Sequence, residues 1–169
     1  MNKGIVQNAT ITGLLSALSV FIYLLLLHLL GQNPFGQYKF MYIGIYALIF
    51  ALGLRHFRDK KNHNRLSATQ GLGFGFIVTA VAAIACTLMV FGFLNSFGQS
   101  AFDLYLKESI ELLVASKDFI VEQLGEDAYL TTYDNLQKLT PSELALDHFT
   151  SMSLTGVFLT FLFMLIFKN

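Results

Sequence analysis

Residues 72–94 read LGFGFIVTAVAAIACTLMVFGFL, a run without one charged side chain. A bilayer's hydrocarbon core is about 30 Å thick and a helix rises about 1.5 Å per residue, so roughly 20 apolar residues make one crossing. This run is long enough to cross, and a helix buried in a soluble protein is seldom so long and so uniformly apolar. Three further segments satisfy the same criterion. They run from Ile11 to Leu30, from Tyr38 to Leu54 (the shortest), and from Phe149 to Phe167, the last uncharged before Lys168. The expected fold is all-α: a four-transmembrane-helix bundle in one integral membrane domain covering residues 1–169. An extracytoplasmic helical insert is expected over 95–148, between the third and fourth spans. The segment from Ile11 to Leu30 is too long for a signal-peptide core and lacks a small-x-small cleavage site, so it reads as a retained span.

Composition agrees. With 54% hydrophobic residues in 169, the chain is too apolar for an ordinary soluble domain. Its formal net charge is zero, but the signs are segregated. Arg55, Arg58, Lys60, Lys61 and Arg65 share the loop between the second and third spans with Asp59 alone, and His56 and His63 fall in the same solvated loop. Every other one of the 11 acids lies between Asn95 and Thr150, where only Lys107, Lys117 and Lys138 oppose them. Short basic loops stay in the cytoplasm, so both termini are expected there, with the acidic segment outside. Besides setting topology, the basic loop is a candidate site for anionic lipid headgroups.

Within the acidic segment, Phe102, Leu106, Ile110, Leu113, Val114, Ile120, Val121 and Leu124 recur at helical spacing, which predicts one amphipathic helix. Gly125 to Leu139 has weak periodicity and reads as a loop with at most one helical turn. Thr140, Pro141 and Glu143 then form a start signal: a hydroxyl N-cap, proline at the first helical position and glutamate at the third. That helix should continue unbroken into the fourth span.

Helices in lipid associate by close backbone approach and interhelical hydrogen bonds, so small residues mark the contact faces. Gly71, Gly75, Thr79, Ala83 and Thr87 stand at consecutive four-residue steps on one stripe of the third span. Shorter versions occur at Gly13 and Ala17, at Gly44, Ala47 and Ala51, and at Gly156 and Thr160. The stripe reads as packing within the bundle, with homodimerisation as the alternative. Gly71, Gly73 and Gly75 follow no strand, so they do not form a nucleotide loop.

Chemistry-bearing residues are sparse. His28 lies near the outer end of the first span, and Asp147 and His148 at the outer end of the fourth. A zinc or proton-relay site there is conceivable, but the ligand spacing is not diagnostic, and headgroup-level imidazoles stay hydrated by snorkelling. Cys86 is the one cysteine, so neither an intrachain disulfide nor a thiolate metal cluster can form. Tyr23, Tyr38, Tyr42 and Tyr46 read as interface-belt tyrosines. No nucleophile elbow, HExxH motif or carboxylate pair within a span is present. No catalytic residue, cofactor or nucleic-acid partner is expected.

The turn GQNPFGQYK, with Asn33, Pro34 and Gly36, reads as a tight outer connection. The N-P-F-G turn followed by Lys39, the R-x-F-R-D loop from Arg55 to Asp59, the S-x-x-Q-G-x-x-x-G run at Ser67, Gln70, Gly71 and Gly75, and the L-T-P-S-E start of the last helix together resemble the bacterial membrane-protein family catalogued as domain-of-unknown-function family 4199. The resemblance covers nearly the whole chain. It implies a four-span inner-membrane protein with an extracytoplasmic helical segment, and it brings no catalytic residues. Two functions from different classes follow as expectations. The leading one is a non-enzymatic scaffold or interaction protein, partnered by the lipid bilayer and by its own copies or another membrane protein. The alternative is a small transporter or transporter subunit, with a path lined by Ser16, Ser19, Thr79, Thr87 and Thr160.

Overall fold

The structure, a computed structural model, describes residues 3–62 and 64–168; His63 of the basic loop lies outside the described residues. Among these, seven α-helices and no strands occur: α1 Lys3–Leu29, α2 Tyr42–His56, α3 Ala68–Ser96, α4 Gln99–Ala115, α5 Lys117–Leu124, α6 Glu126–Lys138 and α7 Pro141–Phe167. A 3-10 turn, Gln37–Met41, leads into α2 and a π-helical turn, Phe57–Lys61, follows it. The segment expected to be shortest is thereby a continuous helical rod. This rod, α1, α3 and α7 are the four elements long and apolar enough to cross a membrane.

The helix ends follow local chemistry. Orphan amides at the start of α3 are met by a capping box: Ser67 Oγ accepts from the Gln70 amide at 3.3 Å, and Gln70 Oε1 accepts from the Ser67 amide at 3.1 Å. Thr140 and Glu143 make the same reciprocal pair at α7, with Pro141 as the first helical residue. α7 then runs unbroken to Phe167. α1 stops at Gly31, whose φ of +72° is in the left-handed region; the Gly31 and Gln32 amides donate back to the carbonyls of His28 and Leu27.

In the bundle α3 is central, packed most extensively on α7 and then on α1, while α2 lies mainly on α1 and touches α3 and α7. Glycines set the close approaches. A Cβ on Gly75 would stand 2.5 Å from Thr160 Oγ1, and one on Gly156 would stand 2.5 Å from both Thr79 Oγ1 and the Tyr46 hydroxyl. Between α1 and α3, a Cβ on Gly13 would meet the Val78 carbonyl oxygen at 2.9 Å. Gly44 faces open space; the close-approach glycine of α2 is Gly53, set against Thr12.

The buried face of α2 carries Tyr42, Tyr46, Phe50 and Leu54 at four-residue steps. Of the four tyrosines expected at a membrane interface, Tyr42 and Tyr46 are therefore inside the bundle. At the basic-loop end, the Phe50 ring meets Phe163 at 5.4 Å and Phe74 at 6.5 Å, and Phe57 stacks on Phe74 at 5.5 Å. These rings close that end of the interior.

α4 to α6 form a cap at the other end. α4 docks by Ala101 and Phe102, with Tyr105 and Leu106 packed against the core, while α5 and α6 lean back on α4. Two expectations need correction here. The single amphipathic helix is broken at Ser116 into α4 and α5, and the stretch expected to be a loop is α6. α6 buries only Tyr129, so apolar periodicity could not reveal it. Its stabilisers are local. Glu126 and Asp127 sit at its positive N-terminus and Lys138 at its C-terminus, with Lys138 Nζ 2.6 Å from Asp134 Oδ2.

Candidate functional site

Where the cap meets the bundle, a cleft of about 500 Å³ opens between α4 and the turn from Gln32 to Phe40. That volume falls in the range of small-molecule sites, roughly 300–1,000 Å³. Asn33 fixes its back. This side chain is buried, its Oδ1 accepts from the Phe35 amide at 2.9 Å, and its Nδ2 donates to Glu108 Oε2 at 2.8 Å. The first bond shapes the turn as an Asx turn, and the second ties the turn to α4. Phe35 adds an edge-on contact with the Tyr105 ring at 6.4 Å. The cleft therefore has a rigid floor with a cation, Lys39, and an anion, Glu108, on elements far apart in sequence.

Lys39 also reaches Asp147 on α7, Nζ to Oδ2 at 3.2 Å. Asp147 thus turns outward to the lysine, while the next residue, His148, turns inward and is only 1% exposed. Its Nε2 is 3.4 Å from Cys86 Sγ, and the Tyr42 ring packs edge-on to it at 5.5 Å. Nδ1 of His148 has no partner among the described residues. Snorkelling does not describe this histidine. His28 packs instead on Phe93, ring centres 5.2 Å apart, and no three His, Cys, Asp or Glu side chains gather as a metal site among the described residues.

Below His148 a line of hydroxyls continues along the seam of α2, α3 and α7. Tyr42 Oη lies 3.4 Å from Thr155 Oγ1, and Thr79 Oγ1 lies 3.5 Å from Thr160 Oγ1. Thr160 also donates to the Gly156 carbonyl at 2.7 Å, and the buried Tyr46 hydroxyl lies close to Thr79. The stripe residues Gly71, Gly75, Thr79 and Ala83 are buried, and Thr87 is half-buried. Ser16 is fully buried on α1, and its hydroxyl, like that of Thr87, has no protein partner among the described residues. From the sequence, Cys86 reads as an isolated thiol, Tyr42 and Tyr46 as interface tyrosines and Asn33 as a turn residue, and nothing distinguishes Glu108 from the other acids. Only the four-residue spacing of the α2 aromatics could have pointed to any of them.

At the opposite end, Asp59 takes Arg58 Nε at 2.7 Å and Arg55 Nε at 3.5 Å, and Arg58 lies over the Phe167 ring at 5.4 Å. Lys60, Lys61 and Arg65 are exposed and make no ion pair among the described residues. The cap carries the remaining notable surface. Leu112, Phe119 and Leu124 are 70%, 68% and 72% exposed among the acids of α4 and α5.

A family profile described as "Protein of unknown function (DUF4199)" matches residues 7–169. No curated protein and no solved structure matches the chain.

Proposed function

Starting from the fact that this chain belongs to the DUF4199 family of proteins of unknown function, we propose that it is a non-enzymatic membrane interaction protein that presents the α4–α6 cap to another protein. One observation carries this reading: the large apolar side chains left exposed on α4 and α5. Apolar groups of this size on a segment standing off the bundle suit contact with a partner, and the surrounding acids favour a partner surface with basic residues. The charge asymmetry supports a location in a bacterial inner membrane, with the cap outside and both termini in the cytoplasm. The exposed cations Lys60, Lys61 and Arg65 then face anionic headgroups of the inner leaflet.

The test is site-specific photocrosslinking in intact cells from Leu112, Phe119 and Leu124, with Leu48 on the lipid-facing side of α2 as control. A reproducible protein adduct from the cap positions, absent at Leu48, is expected. Adducts to lipid alone at all four positions would sink the reading.

A second reading, a small transporter or transporter subunit, draws on the hydroxyl line at Tyr46, Thr79 and Thr160, because buried polar groups in a membrane bundle mark candidate pathways. Proteoliposome flux decides it. Ion or solute flux above that of empty vesicles, abolished by Thr79→Val, would favour a path. Flux indistinguishable from empty vesicles, with the protein folded, would remove it.

A further inference from the structure

The cleft between α4 and the 32–40 turn combines features that the partner reading leaves unused. Its two charges have opposite sign and arrive from different elements, Lys39 from the 3-10 turn and Glu108 from α4. An ammonium has three N–H donors, and Asp147 takes only one from Lys39. Glu108 uses one carboxylate oxygen on Asn33 and makes no other hydrogen bond or ion pair among the described residues. A ligand that joins an anion to a primary ammonium would meet both groups at once, with charge-assisted hydrogen bonds at each end. Ser109 and Gln37 add neutral polar groups to the lining.

The depth of the cleft narrows the ligand further. Lys39 stands in the first turn of the Gln37–Lys61 rod, one of the four elements long and apolar enough to cross a membrane, so the cleft opens at the level where lipid headgroups lie. On the same short turn Phe40 and Met41 are strongly exposed and apolar, as suits contact with acyl chains. The rim therefore runs from a charged cleft directly into lipid-facing surface.

We propose that this cleft binds the phosphoethanolamine headgroup of a membrane lipid, with Lys39 taking the phosphate, Glu108 taking the ammonium, and the acyl chains lying against Phe40 and Met41. This inference shares Leu112 with the partner-facing surface but stands on the charged groups of the cleft. The chemistry discriminates among common lipids. Phosphatidylcholine carries a quaternary ammonium with no N–H to give Glu108, and phosphatidylglycerol has no cation. Asn33 gives one Nδ2 donor to Glu108 and its Oδ1 to the Phe35 amide, and so holds the site in shape.

The experiment is native mass spectrometry of the full chain in detergent with equimolar phosphatidylethanolamine, phosphatidylcholine and phosphatidylglycerol. Phosphatidylethanolamine adducts should exceed each competitor by at least about tenfold, the scale set by one charge-assisted hydrogen bond. Glu108→Gln is the informative variant, because its amide oxygen can still accept from Asn33 while the charge is gone. It should bring phosphatidylethanolamine down to the phosphatidylcholine level. Lys39→Gln should weaken all three lipids together, since each presents a phosphate. Melting temperature with and without phosphatidylethanolamine gives an independent readout: wild type should be raised by the lipid and Glu108→Gln should not. Soluble O-phosphoethanolamine should compete poorly. Equal occupancy by all three lipids, or an unchanged preference in a folded Glu108→Gln variant, would overturn the proposal. Competition by O-phosphoethanolamine as strong as that of the intact lipid would overturn the assignment to a membrane lipid.

Discussion

The α3–α7 seam and the α5–α6 hairpin are both helix pairs, and they are held by different physics. In the seam, glycines on each helix admit the other's threonine: Gly75 faces Thr160 and Gly156 faces Thr79, so contact is by close backbone approach and nothing there can enlarge. In the hairpin, buried side chains are few. The stabilisers are helix-end charges, the ion pair of Asp134 with Lys138, and Lys117 lying 5.3 Å over the Tyr129 ring. A bilayer offers no hydrophobic gain for bringing two apolar helices together, so the seam depends on shape. The cap, surrounded by water in the proposed topology, can rely on polar surface contacts and tolerates looser packing. The seam should therefore be intolerant of substitution and the cap permissive.

Gly75→Leu provides the severest test of that contrast. Overpacking against Thr160 should cost about 2–3 kcal/mol or more and lower the melting temperature in detergent sharply. The same change at Gly44, which faces open space, should leave melting unchanged or raised. If both variants melt alike, close approach does not hold the seam. Next in size is Asn33→Ala, which leaves the turn's amide and Glu108 without their partner and should cost about 2 kcal/mol. Hydrogen exchange should quicken in α4 while the middle of α3 stays protected; equal quickening in both would mean that the cap and bundle form one cooperative unit. Thr140→Ala removes the N-cap of α7 and should cost about 1 kcal/mol, seen as faster exchange in its first turn only. Smallest is Lys138→Ala, which breaks an exposed ion pair and should change stability by less than about 0.5 kcal/mol. A larger loss there would show the hairpin to be more tightly built than its surface contacts indicate.

Legibility in the sequence followed the same divide. The four long apolar helices, the unbroken α7 and its capping box could be read directly, because apolar length and cap chemistry are local signals. α6 could not, since a helix that buries one tyrosine leaves no apolar period. The stripe from Gly71 to Ala83 was visible as spacing, but which helix it faces depends on the partner's residues, Gly156 and Thr160, which lie far along the chain. His148 shows why the candidate site was harder to find. Its place at the outer end of the fourth span reads as a headgroup-level imidazole kept hydrated by snorkelling, yet while Asp147 points to Lys39 one residue of rotation carries the imidazole to Cys86, 62 residues away. Gly53 was passed over for Gly44 because small size alone does not say which face of α2 meets α1.

The hydrogen bond from Asn33 to Glu108 joins residues 75 apart in sequence. Its donor leaves the ribosome with the first two helices, and its acceptor follows only after all of α3. In the proposed topology, the turn from Gln32 to Phe40 waits during synthesis with its side-chain amide unclaimed until α3 has been threaded across and has carried α4 back to it. Closing so long a loop is slow but adds little entropic cost over a shorter one, since that cost grows only with the logarithm of length. Docking of the cap is consequently a late step of assembly, and a nascent chain arrested within α3 would hold a turn still open to whatever else can hydrogen-bond to it.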